Sequence, residues 1–165
     1  MSVVSVSTFT YTAGYLTANL IRSVTNIIKA IGLDPGDLPH DTLDRGLKVW
    51  IESEDLQKLT LEIYSRATDR LVGRFDFDLD YTYSSTDTGS FWLDTDQVKF
   101  AIRKQGLIPS GCAYRVVTTT KPGRPDVAGW SNTTLRSTDG MTRNAVGTAI
   151  GAGSAAAGLA YYSRS

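Results

Sequence analysis

Large apolar residues recur every three or four positions from Leu16 through Leu20, Val24, Ile27 and Ile28 to Ile31. That spacing predicts an amphipathic helix over 15–31, with Arg22, Thr25, Asn26 and Lys29 off the apolar stripe. Gly32 follows the last periodic residue and Pro35 comes three later, a stop signal. Leu43, Leu47 and Trp50 share a second helical face, predicting a helix over 41–53 capped by Asp41. Gly46 sits oddly in its middle, because an interior glycine costs a helix about 1 kcal/mol. The period then changes to two. Leu59, Leu61 and Ile63 alternate with Lys58, Thr60 and Glu62, and Phe75, Phe77, Leu79 and Tyr81 alternate with Arg74, Asp76, Asp78 and Asp80. Two such runs, linked by Ala67-Thr68-Asp69, predict an antiparallel hairpin of half-buried strands. After a polar loop at 84–90, Asp94 or Thr95 caps a third helix. Val98, Ala101 and Ile102 face inward from it, and Gly106 ends it before Pro109. Residues 114–120 are rich in β-branched side chains and predict another strand. Beyond them no period is legible. Residues 121–143 contain two prolines and three glycines, and 144–165 are rich in glycine and alanine. More than forty residues without an element is abnormal for a compact domain and marks a functional or disordered segment.

Composition narrows the possibilities. The chain has 165 residues, 41% hydrophobic and 21% charged, which suits one globular domain. Its 17 basic and 17 acidic residues cancel, whereas a dedicated nucleic-acid binder needs a basic excess. One cysteine, Cys112, and one histidine, His40, exclude an internal disulfide and a common four-ligand zinc site. The charge is nonetheless divided. Residues 1–96 carry 8 basic and 15 acidic side chains, and residues 97–165 carry 9 basic and 2 acidic. The basic half suits an acidic partner or packing against the acidic half. Residues 1–10, MSVVSVSTFT, lack the basic start and long apolar run of a secretory signal and read as a mobile polar tail. Residues 145–162 are uncharged, with Gly147 and Gly151 in small-xxx-small spacing, but only Val146, Ile150 and Leu159 are strongly apolar. That is too little for a membrane span, and a cytoplasmic location is expected.

Candidate chemistry is sparse. Asp76, Asp78 and Asp80 are spaced like calcium ligands, but the sixth and twelfth positions of such a loop would be Tyr81 and Asp87 instead of glycine and glutamate. On a strand they form a solvated, edge-protecting face. Asp87-Thr88-Gly89-Ser90 matches the surroundings of an aspartic protease's carboxylate, yet a second copy would have to come from a dimer partner. His40 lacks a relay partner, and Cys112 reads as a buried, inert thiol. Gly147, Gly151, Gly153 and Gly158 lack the Lys-Ser/Thr of a phosphate loop. No catalytic residue, metal ligand or cofactor site is assigned.

The order of elements does carry a resemblance. Residues 61–81 (LEIYSRATDRLVGRFDFDLDY), 89–104 (GSFWLDTDQVKFAIRK), 121–130 (KPGRPDVAGW) and 137–141 (STDGM) resemble the bacterial HORMA proteins of CBASS anti-phage operons. The resemblance runs over most of the chain and rests on the order of motifs rather than on a catalytic signature. It implies an α+β HORMA fold, with three helices packed on a mainly antiparallel sheet and a mobile C-terminal safety belt. A single domain is expected, with a mobile tail at 1–10, a core at 11–120 and the belt at 121–165. The resemblance implies a non-catalytic switch whose belt wraps a closure-motif peptide as that peptide adds a strand to the sheet. The peptide-binding residues so implied are Tyr114, Val116, Val117, Thr118 and Thr119 of the receiving strand, with Trp130 and Tyr161 as belt anchors and Tyr162 as an alternative. The implied partners are the peptide, a cGAS/DncV-like nucleotidyltransferase activated by the closed form, and a AAA+ ATPase that reopens it by pulling on the tail. No membrane or direct nucleic-acid partner is implied. The Gly/Ala-rich end departs from the pattern, with few large anchors for the belt. From the residues alone, a dimeric aspartic hydrolase using Asp87 and a structural assembly protein remain alternatives.

Overall fold

A computed structural model describes residues 3–82, 91–152 and 154–164, with side chains from residue 12 onward. The elements are α1 (Val3–Ala30), a 3-10 turn (Pro35–Asp37), α2 (His40–Glu52), β1 (Leu56–Ser65), β2 (Leu71–Asp80), β3 (Phe91–Leu93), α3 (Thr95–Gln105), β4 (Cys112–Thr120), β5 (Met141–Ala152) and β6 (Ala155–Arg164). The six strands form one sheet in the order β3-β5-β6-β2-β1-β4, with every pairing antiparallel. The three helices pack on one face.

The stripe predicted for α1 is its core face: Leu16, Leu20, Val24, Ile27 and Ile28 are essentially inaccessible. Each such side chain contributes about 1.5–3 kcal/mol by leaving water. The helix nevertheless starts at Val3, so residues 3–10, expected as a tail, have helical backbone. Residues 1 and 2 lie outside the described residues. Gly32 ends α1 at φ 87°, and Leu33 N–H bonds back to Ile28 O, closing the last turn. Helix α2 begins at His40 with Pro39 before it, so Asp41 lies in the first turn and is not its cap. In α3 the expected cap is present: Asp94 accepts from the N–H groups of Asp96 and Gln97.

Strands β1 and β2 pair in the expected hairpin, Leu61 opposite Phe75 and Leu59 opposite Phe77. Their polar half differs from expectation. Thr60, Glu62 and Asp76 are fully buried and Arg74 is nearly so, and β2 lies between β1 and β6 instead of at an edge. Asp76 is therefore not part of a solvated, edge-protecting row. It accepts from Arg74 Nε and Thr60 Oγ1, each at 2.8 Å, and Lys58 Nζ lies 3.5 Å away. The Arg74 guanidinium also stacks on the Tyr162 ring, 4.6 Å from its centroid. Burial works against its charge, but the hydrogen bond and charge of Asp76 outweigh burial and hold its proton more tightly than usual.

The largest correction concerns the end of the chain. Residues 141–164 are a long hairpin, β5 and β6, with β6 paired to β2 and β5 to β3. Its alanines at 149, 152, 155, 157 and 160 are fully buried. Small side chains let α1 and α3 lie close against the strands, and the Trp92 indole covers Gly151, where an added Cβ would lie 2.3 Å from Nε1. Residues 121–140 form no regular element beyond turns.

Candidate functional site

Strand β4 is the outer strand on one side of the sheet. Its inner side is bonded to β1 from Cys112 to Thr120, and among the described residues no strand lies on its outer side. Such an edge presents a row of backbone donors and acceptors ready to pair with another extended chain. Beside it runs a groove of about 620 Å³. Its walls are Tyr114 to Val117 of β4, the 33–38 loop, Pro39, Thr42 and Leu43 at the start of α2, and Gly129 to Ser131 with Thr133. A second hollow of about 350 Å³ shares Val116, Val117 and Trp130 with it and continues along β4 to Thr120.

The strap at 121–140 crosses this edge and is held at two places. The first is built around two tryptophans. Trp130 Nε1 donates to Thr42 O at 3.0 Å and Trp50 Nε1 donates to Pro125 O at 2.8 Å. The rings meet edge to face with centroids 4.8 Å apart, and the Arg124 guanidinium lies over Trp50. Gly46 explains its own place here: a Cβ would lie 2.4 Å from Trp130 Nε1, so the missing side chain is the notch that receives the indole.

The second place is ionic. Glu62, fully buried in β1, accepts from Arg115 Nε at 2.7 Å, Arg136 Nη1 at 2.8 Å and Arg136 N–H at 2.7 Å. Arg115 also donates to Thr133 Oγ1 and Thr134 O, so one guanidinium joins strand and strap. Arg136 bonds Asp69 and lies 3.6 Å over the Tyr64 ring. Burial opposes the charge of Arg136, but its bonds to Asp69 and Glu62 outweigh burial and raise its pKa. A buried carboxylate with three charge-assisted or backbone donors is well compensated.

At the other end of the groove, Tyr114 Oη donates to Asp34 O at 2.7 Å, tying the 33–38 loop to β4. Burial and the charges of Asp37 and Asp34 push the Tyr114 phenol above its ordinary pKa.

Of the residues singled out from the sequence, Tyr114, Val116, Val117 and Trp130 line the main groove, and Thr118 and Thr119 line its continuation. Tyr161 is elsewhere. It pairs with Phe75 on β6, three strands or about 14 Å from β4, and packs in the core. Tyr162 stacks on Arg74, also away from the groove. Sequence reasoning misses Glu62, Arg115, Arg136, Trp50, Asp34 and Asp37; only Gly46, out of place in its helix, signals this site. Asp87 and the 84–90 loop lie outside the described residues. Among the described residues no group of three or more His, Cys, Asp and Glu side chains could hold a metal, and no helix is long and apolar enough to cross a membrane.

Residues 1–165 match the family model described as bacterial HORMA domain 2. No curated protein matches the sequence. A chain of the mitotic checkpoint complex crystal structure is similar at 14% identity, covering 91% of this chain and 97% of that one, with a TM-score of 0.67. C. elegans HTP-2 bound to the HIM-3 closure motif is similar at 12% identity over 89% of each chain, with a TM-score of 0.59. A chain of the E. coli MS115-1 HORMA:CdnC:Trip13 complex is 11% identical, covering 92% of this chain and 87% of that one, with a TM-score of 0.58. At these identities the likeness is one of fold: three helices on an antiparallel sheet.

Proposed function

The chain belongs to the bacterial HORMA family, and from that premise we propose that it is a peptide-binding conformational switch of CBASS anti-phage defence. The single observation that carries this reading is the strapped, unpaired edge of β4. The β5–β6 hairpin occupies the β2 side of the sheet, so nothing described pairs with β4, and 121–140 cross its edge, held by Trp130, Thr133 and Arg136. An extended closure peptide adding to β4 would satisfy the edge through its backbone and fill the groove with alternate side chains. The belt, pinned by Trp130 and Arg136, would then hold it in place.

In this reading the whole of 121–165 is the safety belt, and the arrangement described is the closed one. The closed form binds and activates a cGAS/DncV-like nucleotidyltransferase in the cytoplasm, and a AAA+ ATPase returns the protein to an open state. The chain itself catalyses nothing. The E. coli complex of HORMA with CdnC and Trip13 supports this set of partners. A remodeller pulling on residues 1–10 would first unwind the start of α1, since helical backbone begins at Val3. Peptide and ATPase act as opposing biases on one two-state equilibrium.

Affinity purification from the native host with mass spectrometry, followed by limited proteolysis, tests the reading. Recovery of a nucleotidyltransferase is expected, and peptides from it should slow cleavage within 121–140. Equal cleavage with and without every recovered partner's peptides would overturn it.

A further inference from the structure

The groove beside β4 is not chemically uniform along its length, and its asymmetry reads as a sequence preference. This inference rests on the peptide-binding reading above. A peptide extended along β4 directs alternate side chains to the helix side of the sheet. On that side β4 presents Tyr114 and Val116, paired with Ile63 and Leu61. Val116 shares the groove with buried Leu38 and Leu43 and with the half-buried Trp130. Two residues away along the strand, about 7 Å, Tyr114 is joined to the loop that carries Asp34 and Asp37.

Both carboxylates are exposed and line the groove. Asp34 Oδ1 caps Gly36 N–H, and no hydrogen bond or ion pair is described for the Asp37 side chain. Two basic side chains, Arg115 and Arg66, also line the groove. The Arg115 guanidinium is committed to Glu62, Thr133 and Thr134. Arg66 lies in the turn that follows β1, its N–H bonded to Gly111 O, three residues along the chain from Ile63, the partner of Tyr114.

We propose that the closure peptide of this protein carries an apolar side chain opposite Val116 and a lysine or arginine two residues from it, opposite Tyr114, held by Asp34 and Asp37. The apolar side chain supplies burial among Leu38, Leu43 and Trp130. The cation supplies selection, since a peptide with an acidic residue there meets two like charges at the rim.

The test is panning a library of random nine-residue peptides on the full chain, then measuring the best synthetic peptide by fluorescence anisotropy. Selected sequences are expected to share a Lys or Arg two residues from an Ile, Leu, Val or Phe. D34N/D37N keeps the turn, because asparagine caps as aspartate does. It is expected to weaken that peptide about 2- to 30-fold, the range for two exposed ion pairs, with the difference shrinking at high salt. D34K/D37K should shift the library's choice at that position to Asp or Glu. Selected peptides without a charge preference, or affinity unchanged in D34N/D37N, would overturn the proposed preference and leave the peptide-binding reading standing. A library yielding no binder would overturn both.

Discussion

The two halves of the C-terminal segment are held to the same domain by different physics. Residues 141–164 are held by continuous backbone pairing: β6 is bonded on both sides, to β2 and β5, and its Ala155 and Ala157 belong to the core that α1 and α3 cover. Residues 121–140 make no ladder and are pinned by side chains at two places, Trp130 against Gly46 and Arg136 on Glu62. Many cooperative bonds make the first half part of the core. A few separable contacts make the second half releasable at a cost well below global unfolding. The proposed peptide switch needs the second arrangement, anchored to something that has the first.

Substitutions can break this contrast from either side. The largest effect is expected from Ala157→Asp, which places an unpaired charge at a fully buried position of β6. A loss of about 4 kcal/mol or more, read by urea denaturation, should take the whole domain with it. Partial loss confined to 121–140 would contradict the assignment of the hairpin to the core. Glu62→Ala comes next. It leaves the Arg115 and Arg136 guanidiniums without their shared carboxylate, and they are 30% and 16% exposed. Water relieves part of the penalty, so a cost of about 2–3 kcal/mol is expected, below the 3–5 of a fully buried pair. Hydrogen exchange should rise first at 133–137.

Gly46→Ala sharpens the comparison by opposing two effects. Alanine strengthens α2 by about 1 kcal/mol, while its Cβ evicts the Trp130 indole from the notch. Global stability should change little, and proteolysis around 125–131 should accelerate severalfold. An unchanged cleavage rate would mean that the notch does not hold the belt.

The smallest effect lies in the core's alkaline response. Tyr81 Oη donates to Leu56 O at 2.6 Å, and burial, with the charges of Glu54 and Asp55, raises its pKa. A phenol whose folded pKa is raised contributes stability fully present below its unfolded value of about 10 and lost as pH rises above it. Tyr81→Phe should cost about 1 kcal/mol near neutrality. The gap between the two proteins should narrow above about pH 10, because the variant has no phenol to titrate. A gap constant with pH would show that Tyr81 titrates alike in both states.

The helices and the first hairpin were legible because their burial is one-sided and therefore periodic. Leu16 to Ile28, Leu43 to Trp50 and Leu59 to Ile63 announce their faces. Strands β5 and β6 were not legible, because tight packing selects alanine and glycine, which have little hydrophobic contrast and weak strand preference. The three residues of β3 are too few to show a period. Glu62 and Asp76 misled for a related reason. Alternation records which side chains differ in polarity, not whether the polar ones meet water.

By itself, then, the sequence determined the three helices and the strands β1, β2 and β4, the family resemblance, and the absence of a charge excess for nucleic acid. Only the tertiary structure decided that the Gly/Ala-rich end is a core hairpin, that Tyr161 is far from the groove, and that Gly46 receives Trp130. It also decided that a buried glutamate in β1 holds the strap. These are pairings between residues 67 to 88 positions apart, and local periodicity carries no information about which distant side chains will share a cavity or a charge.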